Sequence, residues 1–391
     1  MNILLLGTSN SILKNGYVSG LKRALPNASW TSLSSGASPG IQFSKYAKMD
    51  FTSYDLVVLD SVPNDEQYAL QTPGYSYSNQ NKRILLEVVS TISSQTKLIV
   101  LGIAIRDFFA KPSAIYTDRE NLANNMGAQF IDFSSLLKVY QYLYDDVYSN
   151  HPAHPKDEIS NKIGYYLGVA ISHHYDHITN RAECVDYSKN FEIVSTHLNE
   201  GEIRNYKNSL TEAQYLECEK GNTVSISTQK KLIGFFVNGF QTNTFIQLTA
   251  DNGAVLTVPL LYKRMEKGFL NLFAPLATFQ TIKTLTVVDQ YEGVLQFKPR
   301  MTTGKRDIHT PKLQLGSFIH WDSEDESNLT AYNKVSNSNH LVLSDTVKNS
   351  VTDEVLKAIQ ASYTQSSGLT KIRYFFKLLR FKHRFKVTSL K

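Results

Sequence analysis

The chain opens Met1-Asn2-Ile3-Leu4-Leu5-Leu6-Gly7-Thr8-Ser9-Asn10-Ser11-Ile12-Leu13-Lys14-Asn15, and this stretch decides how the first half is read. Ile3 to Leu6 is a short apolar run, as expected for a strand buried on both faces. It stops at Gly7 and passes through Thr8, Ser9, Asn10 and Ser11 before a helical pattern begins near Ile12. A strand that breaks at glycine into serine and then a helix puts a hydroxyl at the carboxyl end of a sheet. Open α/β sheets hold their ligands at that edge. The same residues also make a helix N-cap, and from this stretch alone the simpler role is favoured.

Outward from that start, apolar strand candidates recur at Ser29–Leu33, Leu56–Asp60, Leu98–Gly102 and Gln129–Ile131. Helical patterns fall between them at Tyr17–Leu25, Lys82–Ser93, Asn121–Met126 and Ser135–Leu143, with a last one over Asp157–His174. Strands alternating with helices predict a parallel sheet with right-handed crossovers. Three further segments stand out, two of them at strands. Thr31 to Gly40 places Gly36 in a tight turn, Tyr54 to Asp65 ends in a loop carrying Asn64, and His151-Pro152-Ala153-His154-Pro155 precedes the last helix. Tyr68 to Asn81 reads either as a lid or acceptor-binding loop or as an ordinary exposed loop.

In order and spacing these four blocks resemble the SGNH (GDSL-like) hydrolase and O-acyltransferase family, over about the first 175 residues. The resemblance implies an SGNH-type, flavodoxin-like α/β sheet. It makes Ser9, in Gly7-Thr8-Ser9, the nucleophile. The backbone N–H groups of Ser9 and Gly36 and the amide of Asn64, in Val62-Pro63-Asn64-Asp65, become the oxyanion hole, and His154 becomes the base. Thr8 and Val62 depart from the family pattern, and His151 stands where the family carries the aspartate of its last block. A neutral imidazole does not stabilise an imidazolium as a carboxylate does. His151, a backbone carbonyl, Asp145 or Asp146 is left to orient His154. Each block also has a simpler role: a turn glycine, an Asx-turn asparagine, a loop histidine.

The residue types suit acyl transfer. A serine hydroxyl attacks poorly until a base removes its proton, and preorganised N–H donors stabilise the oxyanion, each by roughly 3 kcal/mol. The expected reaction is O-acetylation of a bacterial capsular or other surface polysaccharide through an acyl-Ser9 intermediate. Acetyl-CoA is the expected donor substrate, a polysaccharide or oligosaccharide the acceptor, and no bound cofactor or metal is expected. A carbohydrate or lipid esterase with the same serine is the alternative, as is a non-catalytic glycan-binding or assembly protein.

At 391 residues, with 42% apolar content, two domains are expected. From about Phe191 short runs recur at Thr223–Ser227, Leu232–Asn238, Thr244–Thr249, Ala254–Leu260, Phe269–Phe273, Thr284–Asp289 and Gly293–Phe297. Turn residues separate them, which predicts an antiparallel β-sandwich or jelly roll over 190–320. Tyr262, Phe269, Phe273 and Phe279 supply either its core or a glycan-binding face. A polar linker, Asp322 to Ser327, then leads to a helix at Val351–Tyr363 and a basic helical tail.

Residues 371–391 hold eight Lys or Arg and no acid, which leaves 33 basic against 35 acidic residues in the rest of the chain. Charge confined to one tail argues against a nucleic-acid groove. Ile372, Phe375, Phe376 and Leu379 share one helical face there, a pattern suited to an anionic membrane surface, to the protein's own body or to a partner. Cys184 and Cys218 fit neither a disulfide framework nor a zinc site. With no leader and no apolar run near 20 residues, the expectation is a cytoplasmic protein, peripheral at the inner face of the membrane.

Overall fold

The apolar run after Met1 becomes β1 (Asn2–Leu6), a central strand of the computed structural model. The structure describes residues 1–72, 74–179, 184–195, 202–207, 212–262, 268–290, 293–295, 310–323 and 342–385. After β1 come α1 (Ser9–Ile12), α2 (Tyr17–Ala24), β2 (Ser29–Ser32), β3 (Leu56–Leu59), α3 (Val62–Gln71), α4 (Asn79–Ser93) and β4 (Lys97–Leu101). α5 (Ala114–Met126), β5 (Gln129–Ile131), α6 (Phe133–Tyr140) and α7 (Asp157–His174) complete this region. The five strands are all parallel, in the order β2-β1-β3-β4-β5. β2 and β3 flank β1 on opposite sides, so the strand order reverses between β1 and β3, and a crevice opens over their carboxyl ends.

Strand alternation sorts the core. Leu4, Leu6, Val57 and Leu59 pack with residues of α4 and α5. Ile3, Leu5, Leu56 and Val58 pack with α2, α6 and α7. α2 and α7 lie almost backbone to backbone. A Cβ on Gly164 would sit 2.0 Å from the Tyr17 carbonyl oxygen, and one on Gly20 1.9 Å from that of Asn161. These glycines hold together the two helices that follow the Ser9 and His154 loops.

The second region contains β6 (Phe191–Val194), β7 (Ile203–Lys207), β8 (Glu212–Glu219), β9 (Thr223–Ser225), β10 (Lys231–Asn238) and β11 (Asn243–Ala250). β12 (Val255–Leu261), β13 (Asn271–Gln280), β14 (Ile282–Val288), β15 (Val294–Leu295) and β16 (Lys312–Trp321) follow. Alternation anticipates β9 to β15, but the ladders join into one 11-stranded sheet, not two separate ones. It is antiparallel except where β12 meets β15. β16 binds it together by pairing with β6, β8, β10 and β11. Tyr262, Phe273 and Phe279 are buried in the core.

α8 (Val342–Gln365) and α9 (Gly368–Phe385) return to the first region. Leu343, Val347, Val351 and Val355 join its core, and the Ser344 hydroxyl donates to the Phe130 carbonyl at 2.8 Å. The expected linker from Glu324 onward, the run beyond Leu295 and the last six residues of the basic tail lie outside the described residues. The sheets meet around Glu87, on α4. Its buried carboxylate accepts from Arg83 Nε at 2.8 Å, Asn190 Nδ2 at 3.1 Å and Trp321 Nε1 at 2.7 Å.

Candidate functional site

Thr8 caps α1 and Ser9 is its first residue. Ser9 Oγ lies 2.8 Å from His154 Nε2, across 145 residues of sequence. Both side chains are half-buried at the β1 edge of the crevice. If the Ser9 hydroxyl donates, Nε2 is unprotonated and the ring proton sits on Nδ1, the tautomer a general base requires.

Both sides of this contact are tied down. Thr8 Oγ1 donates to Asp60 Oδ2 at 2.7 Å, and Ser11 Oγ donates to the same oxygen at 3.3 Å. Ser11 Oγ also meets Tyr17 OH at 2.5 Å. Asp60 therefore holds the residues on either side of Ser9. Its complete burial pushes its carboxyl up to about 6 despite the hydroxyl donors. On the histidine side, Asn10 Nδ2 donates to the Ala153 carbonyl at 3.0 Å, and the Arg106 N–H to that of Pro152 at 2.8 Å. Asn10, Asp60 and Tyr17 carry no family motif. The signal that could have found them is a polar group beside an apolar run, where burial demands a partner.

His151 stacks on His154, ring centroids 4.1 Å apart and planes 23° apart. Its Nδ1 accepts the Ala153 N–H at 3.2 Å, which places a neutral ring's proton on Nε2. His151 thus covers one face of the His154 ring. Asp146, a candidate for orienting His154, has its oxygens engaged by Arg106 at 3.1 Å and the Tyr148 N–H at 2.9 Å.

Gly36 is packed against Ser9, since a Cβ there would lie 3.5 Å from the Ser9 Cβ. The left-handed residue of this turn is Ala37, at φ 57°, and not Gly36. Asn64 lies in the first turn of α3 and not in a loop, because Pro63 fits the start of a helix, where its missing N–H costs nothing. Asn64 is buried, and its Nδ2 donates to the Ser38 carbonyl at 2.8 Å. Asp65 Oδ1 accepts the Gly40 N–H at 2.7 Å, and its other oxygen pairs with the buried Arg119 guanidinium. Asn64 and Asp65 therefore brace the 36–40 turn that presses on Ser9.

The 68–81 segment is anchored at the buried residues Tyr68, Tyr75 and Asn81, while Leu70, Gly74 and Ser76 are exposed. Tyr68 and Tyr75 are buried edge to face at 5.2 Å, and Asn81 Nδ2 donates to Tyr75 OH at 3.1 Å. Among the described residues, no cluster of His, Cys, Asp or Glu is arranged to hold a metal ion. Cys184 and Cys218 are free thiols.

No protein-family model matches the chain, and no curated protein matches it. Solved structures similar to it include CapF with the inhibitor 3-isopropenyl-tropolone, at 7% identity and a TM-score of 0.19, covering 83% of this chain and 97% of that one. The capsular polysaccharide assembling protein CapF from Staphylococcus aureus is similar at 9% identity and a TM-score of 0.19, covering 84% and 98%. Scores this low establish no shared fold. The resemblance to the SGNH family is accordingly corrected: no family model or curated protein matches, and the similar structures named here are CapF. Its four blocks are short, and three of them match what a strand-to-helix junction favours anyway, namely a capping hydroxyl at Thr8, a turn glycine and a proline-led first helical turn. The site stands on its geometry alone.

Proposed function

We propose that the chain is a serine-dependent acyltransferase that moves an acyl group, acetyl from acetyl-CoA, onto a hydroxyl of a surface polysaccharide or its oligosaccharide precursor. The single observation supporting this is the 2.8 Å contact between Ser9 Oγ and His154 Nε2 at the carboxyl edge of the parallel sheet. His154 takes the Ser9 proton as Oγ attacks the acyl carbonyl. The tetrahedral intermediate collapses, its C–S bond breaks, and His154 returns the proton to the leaving thiolate. The acceptor hydroxyl then loses its proton to His154 and attacks acyl-Ser9, and the proton finally returns to Ser9 Oγ. The Ser9 and Gly36 N–H groups and the Asn64 amide are the proposed oxyanion donors. One Asn64 N–H already holds Ser38, so only its second is assigned to the oxyanion.

The acceptor separates transfer from hydrolysis. A transferase incubated with acetyl-CoA releases little acetate until a glycan is added, and then labels the glycan. Acetate release at the same rate with and without glycan would instead make the chain an esterase.

We place this chemistry beside an anionic membrane surface. No described helix is long and apolar enough to cross a membrane. α9 docks through Phe381, whose ring lies 4.9 Å from that of Tyr142. It leaves Leu369, Ile372, Phe375, Phe376 and Leu379 exposed. Lys371, Arg373, Arg380 and Arg384 are also exposed on this helix, and it carries no acid, so its charge complements anionic lipid. Phe376→Ser with Leu379→Ser should weaken binding to phosphatidylserine vesicles several-fold while leaving thermal stability within about 0.5 kcal/mol, since both side chains are exposed. Unchanged vesicle binding would remove the membrane from this account.

A further inference from the structure

The turn that presses on Ser9 also reaches the second sheet. Ser35 Oγ donates to the Asn271 carbonyl at 3.4 Å, and the Phe273 N–H donates to Ser38 Oγ at 2.9 Å. Beside these contacts is a concave pocket of about 390 Å³. That is within the range of small-ligand sites. Its walls include Lys45 from the first region and Gln214, Tyr215, Phe236, Asn271 and Ser317 from the second.

Lys45 is the unusual group. Its Nζ sits 4.8 Å from the Phe236 ring centroid and 5.8 Å from that of Tyr46. Among the described residues no carboxylate lies within ion-pair distance of it. Glu212, on the same rim, pairs with Lys207 at 2.8 Å. Burial lowers the affinity of Lys45 for its proton. Lys45 is half-buried, and an ammonium held beside two ring faces with no carboxylate partner is left able to meet an anion. Next to it, Tyr215 OH donates to Asn271 Oδ1 at 2.7 Å, which fixes the amide and assigns its Nδ2 as a donor. Tyr215 in turn packs edge-on against Phe269 at 5.8 Å, and Phe269 stacks on Tyr206 at 5.6 Å. The pocket therefore combines one cation, a preset amide and a rigid aromatic wall.

We propose that this pocket binds the anionic group, carboxylate or phosphate, of a small polar substrate, with Lys45 as its counter-ion and Asn271 as a hydrogen-bond donor. Asn271 on its wall accepts from Ser35, the neighbour of Gly36, and on that link we take the pocket as a subsite for a substrate of Ser9. Two sources of that anion are compatible with acyl transfer: an acidic sugar of the acceptor, or the phosphates of the acyl donor. The choice of probes rests on the acyl-transfer reading, but the binding itself does not require Ser9.

The test is isothermal titration of the Ser9→Ala protein, so that a failed catalytic assignment leaves the binding result intact. Glucuronate is compared with glucose, and coenzyme A with pantetheine. The proposal expects one anionic probe to bind at least tenfold more tightly than its uncharged partner. Lys45→Met should erase that preference and Lys45→Arg should retain most of it. Circular dichroism and thermal melts show whether each variant is folded, and chemical-shift changes at Asn271 and Gly316 locate the ligand. Preference for glucuronate would assign the pocket to the acceptor, and preference for coenzyme A to the donor. The proposal is overturned if charged and uncharged probes bind alike, if neither anion binds, or if a folded Lys45→Met protein keeps the preference.

Discussion

Two buried carboxylates in this molecule are treated differently. Glu87, at the junction of the two sheets, is surrounded by donors: Arg83 on one oxygen, Asn190 and Trp321 on the other. Asp60, under the Ser9 loop, has two hydroxyls on one oxygen, while its other oxygen, Oδ1, is buried without a partner. Close by, Asn10 Oδ1 is also buried and unpartnered, and Ala37 holds a left-handed backbone. A fully bonded carboxylate secures the architecture. An incompletely bonded one is a cost the fold retains, and at Asp60 it lies directly under the Ser9 loop.

The comparison can be broken at three points. The largest effect belongs to the site. His154→Ala should lower the rate of acyl transfer by about 10²–10⁴-fold, the usual worth of a positioned base. Because the ring is only half-buried, the thermal midpoint should change little. A variant that kept near wild-type turnover would remove His154 from the chemistry. At the junction the pattern reverses. Glu87→Ala strips Arg83, Asn190 and Trp321 of their shared acceptor and should destabilise the protein by about 3–5 kcal/mol in denaturant titrations. A loss below about 1 kcal/mol would show that Glu87 is not a keystone.

Asp60→Asn has the smallest effect and the sharpest sign. In the folded protein the Asp60 carboxyl is pushed up to about 6 by burial, above its ordinary value of 3.8. Between those values the native state holds a proton that the unfolded chain has released. Its contribution to stability is therefore present below about pH 4 and lost as pH rises through about 6. A tenfold difference in proton affinity is worth about 1.4 kcal/mol, so the loss is at most about 3 kcal/mol. The amide carries no such contribution, so the variant's stability should be flatter than wild type between pH 4 and 6, and relatively higher above pH 6. Parallel profiles would mean that Asp60 titrates normally, and the contrast with Glu87 would disappear.

The parallel sheet is readable from sequence because its strands are short apolar runs broken by helical periods, and β5 and α7 fall where those patterns predict. β16 is not readable in that way. It is buried on both faces, so it lacks alternation, and it contains Gly316 and the buried Gln314. Gln314 looks like a surface residue until Asn238 Nδ2 is seen to donate to it at 2.9 Å. Glu87 is hidden for the same reason, since Asn190 and Trp321 lie 103 and 234 residues away. α8 extends nine residues before its expected start at Val351 and builds core, where the sequence suggests a helix beyond a linker. At the site, Ser9 and Gly36 are nameable because each follows a strand, and His154 because its His-Pro pair immediately precedes the last helix. Asn64 is found at the right position but in a different element, since Pro63 reads equally as a turn or a first helical turn. The family name overreaches, because four short blocks fix a junction chemistry more firmly than an ancestry.

The central claim is that Ser9 takes an acyl group with His154 as its base. The most direct measurement is mass spectrometry of the intact protein and its peptides after rapid quenching with acetyl-CoA, or with an activated acetyl ester, in wild type and Ser9→Ala. The account predicts one added acetyl group on the peptide carrying Ser9 in the wild type. It also predicts that the adduct is absent from Ser9→Ala and is discharged when a competent glycan is supplied. A folded wild-type protein that acquires no adduct from either donor, or a Ser9→Ala protein that is labelled as readily, would contradict it.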